Sequence, residues 1–114
     1  MLRVNNSYRL VNRVEFLRFF DGAEVFRLSY CTIFKKKNEI GHYRLGITLK
    51  AKGSSVERNR VKRTIRASFN TLKGLLGSND YNVVIPAYKK IDRHYIKGLR
   101  VNLVEAWPSR HFKK

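Results

Sequence analysis

Acids are scarce in this chain: eight aspartates and glutamates stand against 25 lysines and arginines in 114 residues. They are spread thinly, with no paired carboxylates on one face. Mg²⁺ wants several well-placed oxygen ligands, so this protein is a poor candidate to hold it by itself. Cys31 is the single cysteine, which excludes an internal disulfide and a cysteine-based zinc site and suits a reducing compartment. His42, His94 and His111 are scattered without metal-ligand spacing, and no Ser/His/Asp set is present. No apolar run is long enough to span a membrane. Near the N-terminus Arg9, Arg13, Glu15 and Arg18 interrupt any continuous apolar stretch of the kind a secretory signal needs. The expected compartment is the cytoplasm, with no membrane association. There is no internal repeat and no low-complexity linker, and the length suits one domain (1–114) around one core.

What is abundant is positive charge. The formal net charge is +17, which costs stability through self-repulsion and invites polyanions. The 43% of hydrophobic residues is enough to bury a core, so the charge does not belong to a disordered basic tail. Six tyrosines, seven phenylalanines and one tryptophan accompany it. Most of these rings are expected in the core. In a small basic protein some of them favour RNA or single strands, whose unstacked bases can lie on aromatic faces.

The charge concentrates between residues 50 and 69, KAKGSSVERNRVKRTIRASF. Ser54 followed three residues later by Glu57 has the form of a capping box and predicts a helix start. At about 100° per residue, Val61, Ile65, Phe69, Leu72 and Leu76 share one apolar arc. Asn59, Arg60, Arg63, Arg66 and Lys73 spread over the opposite arc, with Lys62 at its border. Arg58, Arg60, Lys62 and Arg63 crowd the first turns, where the helix dipole disfavours cations by roughly 0.3–1 kcal/mol each, and they repel one another at i,i+3 and i,i+4 spacing. A helix face kept only for solubility is the plain explanation of such a run. A dense anion held against this turn explains better why the cations sit at the unfavourable end.

The remaining elements follow from pattern. Residues 1–11 read as an extended basic arm. A short helix is predicted over 13–21, opened by Asn12 and Glu15 and ended by Gly22. It carries Phe16, Phe19 and Phe20 as one aromatic stripe, for core packing or for lining a groove at the sheet edge. Residues 25–36 read as a strand, with a further short strand near Val25 as a variant. Residues 43–50 alternate, with Tyr43, Leu45, Ile47 and Leu49 on one side and Arg44, Gly46, Thr48 and Lys50 on the other. These two strands are expected to form a hairpin with one polar, basic, open face. The long helix is expected over 55–76, a buried strand over 81–87, and a last helix from Asp92 through Trp107, closed by Pro108. The result is an α+β two-layer sandwich, a mixed sheet with helices on one face and the basic helix as crossover between two strands.

At this point the chain resembles a known family, the protein subunit of bacterial ribonuclease P. Arg58-Asn59-Arg60, Lys62-Arg63, Arg66 and Phe69 match its signature R-N-R-x-K-R-x-x-R-x-x-F. Arg44-Leu45-Gly46 stands at the right distance before it, and Arg9-Leu10, Glu15-Phe16 and Phe20 resemble the family's opening. The chain departs from many members at Lys50-Ala51-Lys52, where they have Ser-Lys-Lys. The resemblance implies the fold of the second domain of ribosomal protein S5, with a left-handed βαβ crossover carrying the basic helix. It implies a catalytic RNA partner that removes the 5′ leader of precursor tRNA by metal-dependent hydrolysis. Mg²⁺ would be required by that RNA, and no cofactor would be bound by the protein alone. Arg58, Asn59, Arg60, Lys62, Arg63 and Arg66 would face the RNA. Phe16, Phe20, Arg44, Lys50 and Lys52 would meet the single-stranded leader. No obligate protein partner is implied.

Three other functions are compatible with parts of the pattern. A small ribosomal or ribosome-assembly protein would share the charge and fold type. A DNA-binding module would use the basic helix in a groove, but no helix-turn-helix spacing or dimer seam supports it. An independent nuclease would need acids and ligands that the sequence lacks.

Overall fold

The computed structural model describes residues 22–111. The expected arm over 1–11, the helix expected over 13–21, and with it Phe16 and Phe20, lie outside the described residues. In chain order the elements are β1 (Glu24–Arg27), β2 (Thr32–Lys37), β3 (Arg44–Leu49), α1 (Ser55–Thr71), α2 (Lys73–Leu76), β4 (Asn79–Ile85), α3 (Arg93–Val101), a π-helical turn (Asn102–Ala106) and α4 (Trp107–His111). The strands form one mixed sheet in the order β1-β2-β4-β3. β2 pairs antiparallel with β1 and β4, whereas β3 pairs parallel with β4. α1 is the crossover between the parallel pair. The expected α+β fold with a mixed sheet is therefore present.

Alternation decides which side of the sheet meets the helices. Tyr81, Val83 and Ile85 of β4 and Ile33 of β2 are fully buried in the core with Val61, Ile65 and Phe69 of α1 and Leu99 of α3. Phe69, Tyr81 and Trp107 meet pairwise with ring centroids 5.4–5.6 Å apart. Each such pair contributes about 1 kcal/mol beyond its buried area, and together they join α1, β4 and α4. The Tyr81 hydroxyl donates to the Leu76 carbonyl at 2.8 Å, so its burial leaves no orphan.

The strand pairing corrects two expectations. Residues 25–36 are not one strand; the variant with a separate short strand near Val25 is the one that forms, as β1. The chain turns at 28–31, where Leu28 N–H donates to the Cys31 carbonyl at 2.9 Å. Tyr30 is held at both ends, its N–H by the Asn102 side chain at 3.0 Å and its carbonyl by the Tyr95 hydroxyl. Strand-forming residues are overridden here by tertiary partners. Cys31 at this turn is buried, which pushes its thiol up to about 12 and leaves it unreactive. Nor do the second and third strands form a hairpin, because β4 lies between them. β4 is buried on both sides, Asn82 as completely as Tyr81 and Val83, and so takes the inner position. The connection over 38–43 wraps the start of β4: Asn38 N–H donates to the Ser78 carbonyl at 3.0 Å and Gly41 N–H to Ser78 Oγ at 3.1 Å.

Both long helices are interrupted. The helix expected over 55–76 breaks at Leu72, whose ψ of 4° is not helical, before α2. Pro108 does not close the last helix. It sits within a helical run that stays αR at Val101, Asn102 and Trp107, directly after a widened turn that accommodates its ring. The preceding turn is widened, with Trp107 N–H reaching back to the Asn102 carbonyl. Gly98 of α3 forms a notch for Tyr30: a Cβ there would come within 2.2 Å of the Tyr30 ring.

Two outcomes follow. Gly98→Ala is expected to destabilise the protein by about 1–2 kcal/mol despite alanine's better helix propensity, because the Tyr30 ring must leave its seat. Adding Tyr30→Ala should remove that increment, as read by urea unfolding of the four variants in the cycle. The second outcome concerns His111, whose Nε2 accepts from Lys35 Nζ at 3.0 Å. Burial, and then the Lys35 charge, hold its pKa below the ordinary value, while Glu24 opposes them. A base with a lowered folded pKa contributes stability in full above its unfolded value, and that stability is lost as pH falls. The urea midpoint should therefore drop between about pH 7 and about pH 5, and His111→Gln should flatten that slope.

Candidate nucleic-acid interface

α1 begins as its sequence dictates. Ser54 Oγ accepts from Glu57 N–H at 3.1 Å, and Glu57 Oε1 accepts from Ser54 N–H at 3.2 Å. The reciprocal cap fixes the first turn, and burial of Val61, Ile65, Ser68 and Phe69 fixes the helix's rotation. Asn59, Arg60, Arg63 and Arg66 are consequently exposed on the opposite side, and Lys62 lies half-buried at the border. Asn59, Arg63 and Arg66 line one shallow depression together with Val56.

Arg58 is placed differently from the other five. Its guanidinium turns back, donating to the Ala51 carbonyl and, at 3.3 Å, to the Leu49 carbonyl. It ties the segment 50–53 to the helix start. Ala51 is fully buried there, while Lys50 and Lys52 on either side are exposed. Arg58 therefore organises the loop that presents both predicted leader-side lysines.

Arg44 is also committed within the fold. It stands directly opposite Asp80 on β4. Arg44 Nε and Nη2 donate to the two carboxylate oxygens at 2.9 and 2.8 Å, and Asn38 Nδ2 donates to the same carboxylate at 2.7 Å. The two charged side chains are only 17% and 12% exposed. Beside this pair the same sheet face carries Gly46, Asn82 and Phe34 in one row and Thr48, Val84 and Thr32 in the next. Thr48 Oγ1 donates to Asn82 Oδ1 at 3.1 Å. The expected open basic face is therefore not found: the face mixes polar side chains with Phe34 and Val84, its residues are half-buried or buried, and its arginine is paired.

Sequence alone did not single out Arg100 or Asp80. Arg100 of α3 lines a groove with Arg63, Thr64, Ala67, Ser68 and Thr71 of α1, which extends the basic surface onto a second helix. The sequence shows Arg100 only as an exposed position beside Leu99. That α3 lies along α1 at this point is a tertiary fact. No three His, Cys, Asp or Glu side chains come together among the described residues as a metal ion would need. Asp80, the buried carboxylate, is already satisfied by Arg44 and Asn38. Among the described residues the donor set does not fit Mg²⁺.

The family model for Ribonuclease P matches residues 4–109. The chain belongs to that family. It is 39% identical over 80 residues to the ribonuclease P protein component of Methylococcus capsulatus, a match covering 68% of this chain and 62% of that protein. With the ribonuclease P protein component of Thermotoga petrophila it shares 38% over 82 residues, covering 71% and 70%. The chain thus spans a little under two thirds of the first of these relatives. The solved ribonuclease P protein from Thermotoga maritima superposes with a TM-score of 0.68 at 28% identity, over 86% of this chain and 93% of that one.

The Arg44–Asp80 pair generates a stability prediction. Removing one partner of a buried ion pair strands the other, at a cost of about 3 kcal/mol. Asp80→Ala should show that loss in urea unfolding. Arg44→Met should show less, because the carboxylate keeps Asn38.

Proposed function

We propose that this chain is the protein component of a ribonuclease P, a ribonucleoprotein endoribonuclease that removes the 5′ leader of precursor tRNA. The observation that carries this is the outward face of α1. Asn59, Arg60, Arg63 and Arg66 are exposed on a helix whose other side is fully buried, in a chain that belongs to the Ribonuclease P family. Four polar and cationic side chains on a rigid helix suit the phosphates of a folded RNA, and arginine forks suit them bidentately. Family membership favours ribonuclease P RNA over ribosomal RNA as the partner.

In this assignment the chemistry, and the Mg²⁺ it requires, belong to the RNA. The protein's part is electrostatic. It holds catalytic RNA and substrate together and lowers the repulsion between their phosphates. Lys50 and Lys52, on the loop that Arg58 fixes, would neutralise phosphates of the single-stranded leader, with Phe16 and Phe20 at the groove wall. Arg44 would act through the shape of the sheet face, since its charge is taken by Asp80. No protein partner is required. A free buried thiol suits the cytoplasm, and among the described residues no helix is long and apolar enough to cross a membrane.

Reconstitution with a bacterial ribonuclease P RNA tests the assignment. The protein should raise cleavage of precursor tRNA at low Mg²⁺. Arg60→Glu/Arg63→Glu should keep its fold, because both side chains are exposed, yet lose at least about tenfold in RNA affinity and about two units of salt slope. Unchanged affinity and slope would falsify the assignment of this face.

A further inference from the structure

The connection from β4 to α3 carries an aromatic residue with no part in the interface above. Tyr88 is 81% exposed, more than any other large apolar side chain among the described residues. Its loop is nonetheless fixed. Lys89 N–H donates to the Pro86 carbonyl at 3.2 Å and Asp92 N–H to the Lys90 carbonyl at 3.1 Å. Ile91, 2% exposed, anchors the loop's far end against Gly53, where a Cβ would come within 2.9 Å of Ile91 Cδ1. Lys89 Nζ donates to the Ser29 carbonyl at 2.8 Å and lies 5.4 Å from the centroid of the Tyr88 ring. The ring is therefore displayed on a braced loop with a cation over one face, and at 81% exposure it is open to a planar group among the described residues.

The surroundings say which planar group. β3 and β4 run parallel and end together, with Lys50 N–H donating to the Ile85 carbonyl at 3.0 Å. The Tyr88 loop thus emerges beside the loop that bears Lys50 and Lys52, and Lys90 is exposed as well. The two nearby acids are engaged in helix caps, Glu57 on Ser54 and Asp92 on Tyr95 N–H at 2.9 Å. A ring with Lys89 over one face, Lys90 close in sequence and the Lys50–Lys52 loop at the same end of the sheet suits a chain that alternates phosphates with flat bases. Only a single strand offers its base faces, because in a duplex they are stacked.

The geometry points to Tyr88 as a stacking platform for one base of the precursor's single-stranded leader, next to the phosphates held by Lys50 and Lys52. This rests on the leader assignment above and adds a residue that sets how much leader the protein senses. Tyr88 is a binding residue and touches no reacting atom.

The test uses the reconstituted holoenzyme and precursor tRNAs with leaders of increasing length, carrying 2-aminopurine at successive leader positions. Affinity should rise with leader length in the wild type, and one position should show quenched fluorescence on binding. Tyr88→Ala should remove that quench and cut the leader-dependent gain by about tenfold, the usual effect of deleting a stacked aromatic. Tyr88→Phe should preserve both. A gain and quench that survive in Tyr88→Ala overturn the platform while leaving the leader assignment intact. A Tyr88→Ala loss of the same size on tRNA without a leader, or on the RNA subunit alone, also overturns it. No dependence on leader length in the wild type removes the leader assignment and the platform with it.

Discussion

The contact among Phe69, Tyr81 and Trp107 governs the rest of the molecule. The three rings come from α1, β4 and α4, and all are buried to within 1%. They set both the distance and the rotation of α1 over the sheet. Rotation is what matters for function, because at 3.6 residues per turn the burial of Val61, Ile65 and Phe69 leaves Asn59, Arg63 and Arg66 no place but the surface. The packing must also outweigh the mutual repulsion of a chain with net charge +17. An aromatic cluster suits that task, since it gathers large apolar area without adding charge.

The arginines of the signature region are not equivalent once the chain is folded. Arg60 and Arg63 point to solvent, Arg58 is spent on backbone carbonyls, and Arg44 is neutralised by Asp80. Two of the basic residues thus build the surface on which the others act. Arg58 lies at the helix border, where its long side chain reaches the strand end, and its half-buried guanidinium donates through Nη1 and Nη2 to two backbone carbonyls. Replacing it would disturb the exposed basic surface through the loop at 50–53.

Local signals were legible in the sequence, and tertiary ones were not. The Ser54–Glu57 cap, the apolar stripe of α1 and the Asp92 cap of α3 are written in short spacings, and the structure forms all three. The exposed face of α1 follows from the same periodicity. The turn at 28–31 was missed because LSYC has strand-forming residues, and its reason lies some seventy residues away in Asn102 and Tyr95. The place of β4 between β2 and β3 was missed because hydrophobic pattern fixes a strand's faces and leaves its neighbours undecided. Pro108 misled through a sound rule: proline stops a helix unless a widened turn just before it makes room for its ring. The pairing of Arg44 with Asp80 depends on which strand lies beside β3, and Arg100 depends on which helix lies beside α1.

The central position of β4 has a consequence for how the protein comes to exist. β2 and β3 share no hydrogen bonds, so no sheet beyond the β1–β2 hairpin can assemble until residue 79 and its successors have been made. The decisive pairings join residues far apart in the chain, Thr32 with Val84 and Arg44 with Asp80, and such closures are slow because loop entropy is lost before contact is gained. Until then α1 has nothing to dock against, and its cations belong to an open polycation rather than to a surface. Synthesis must therefore deliver nearly three quarters of the chain before the shape that discriminates among RNAs exists. In that interval affinity for polyanions precedes selectivity for any one of them.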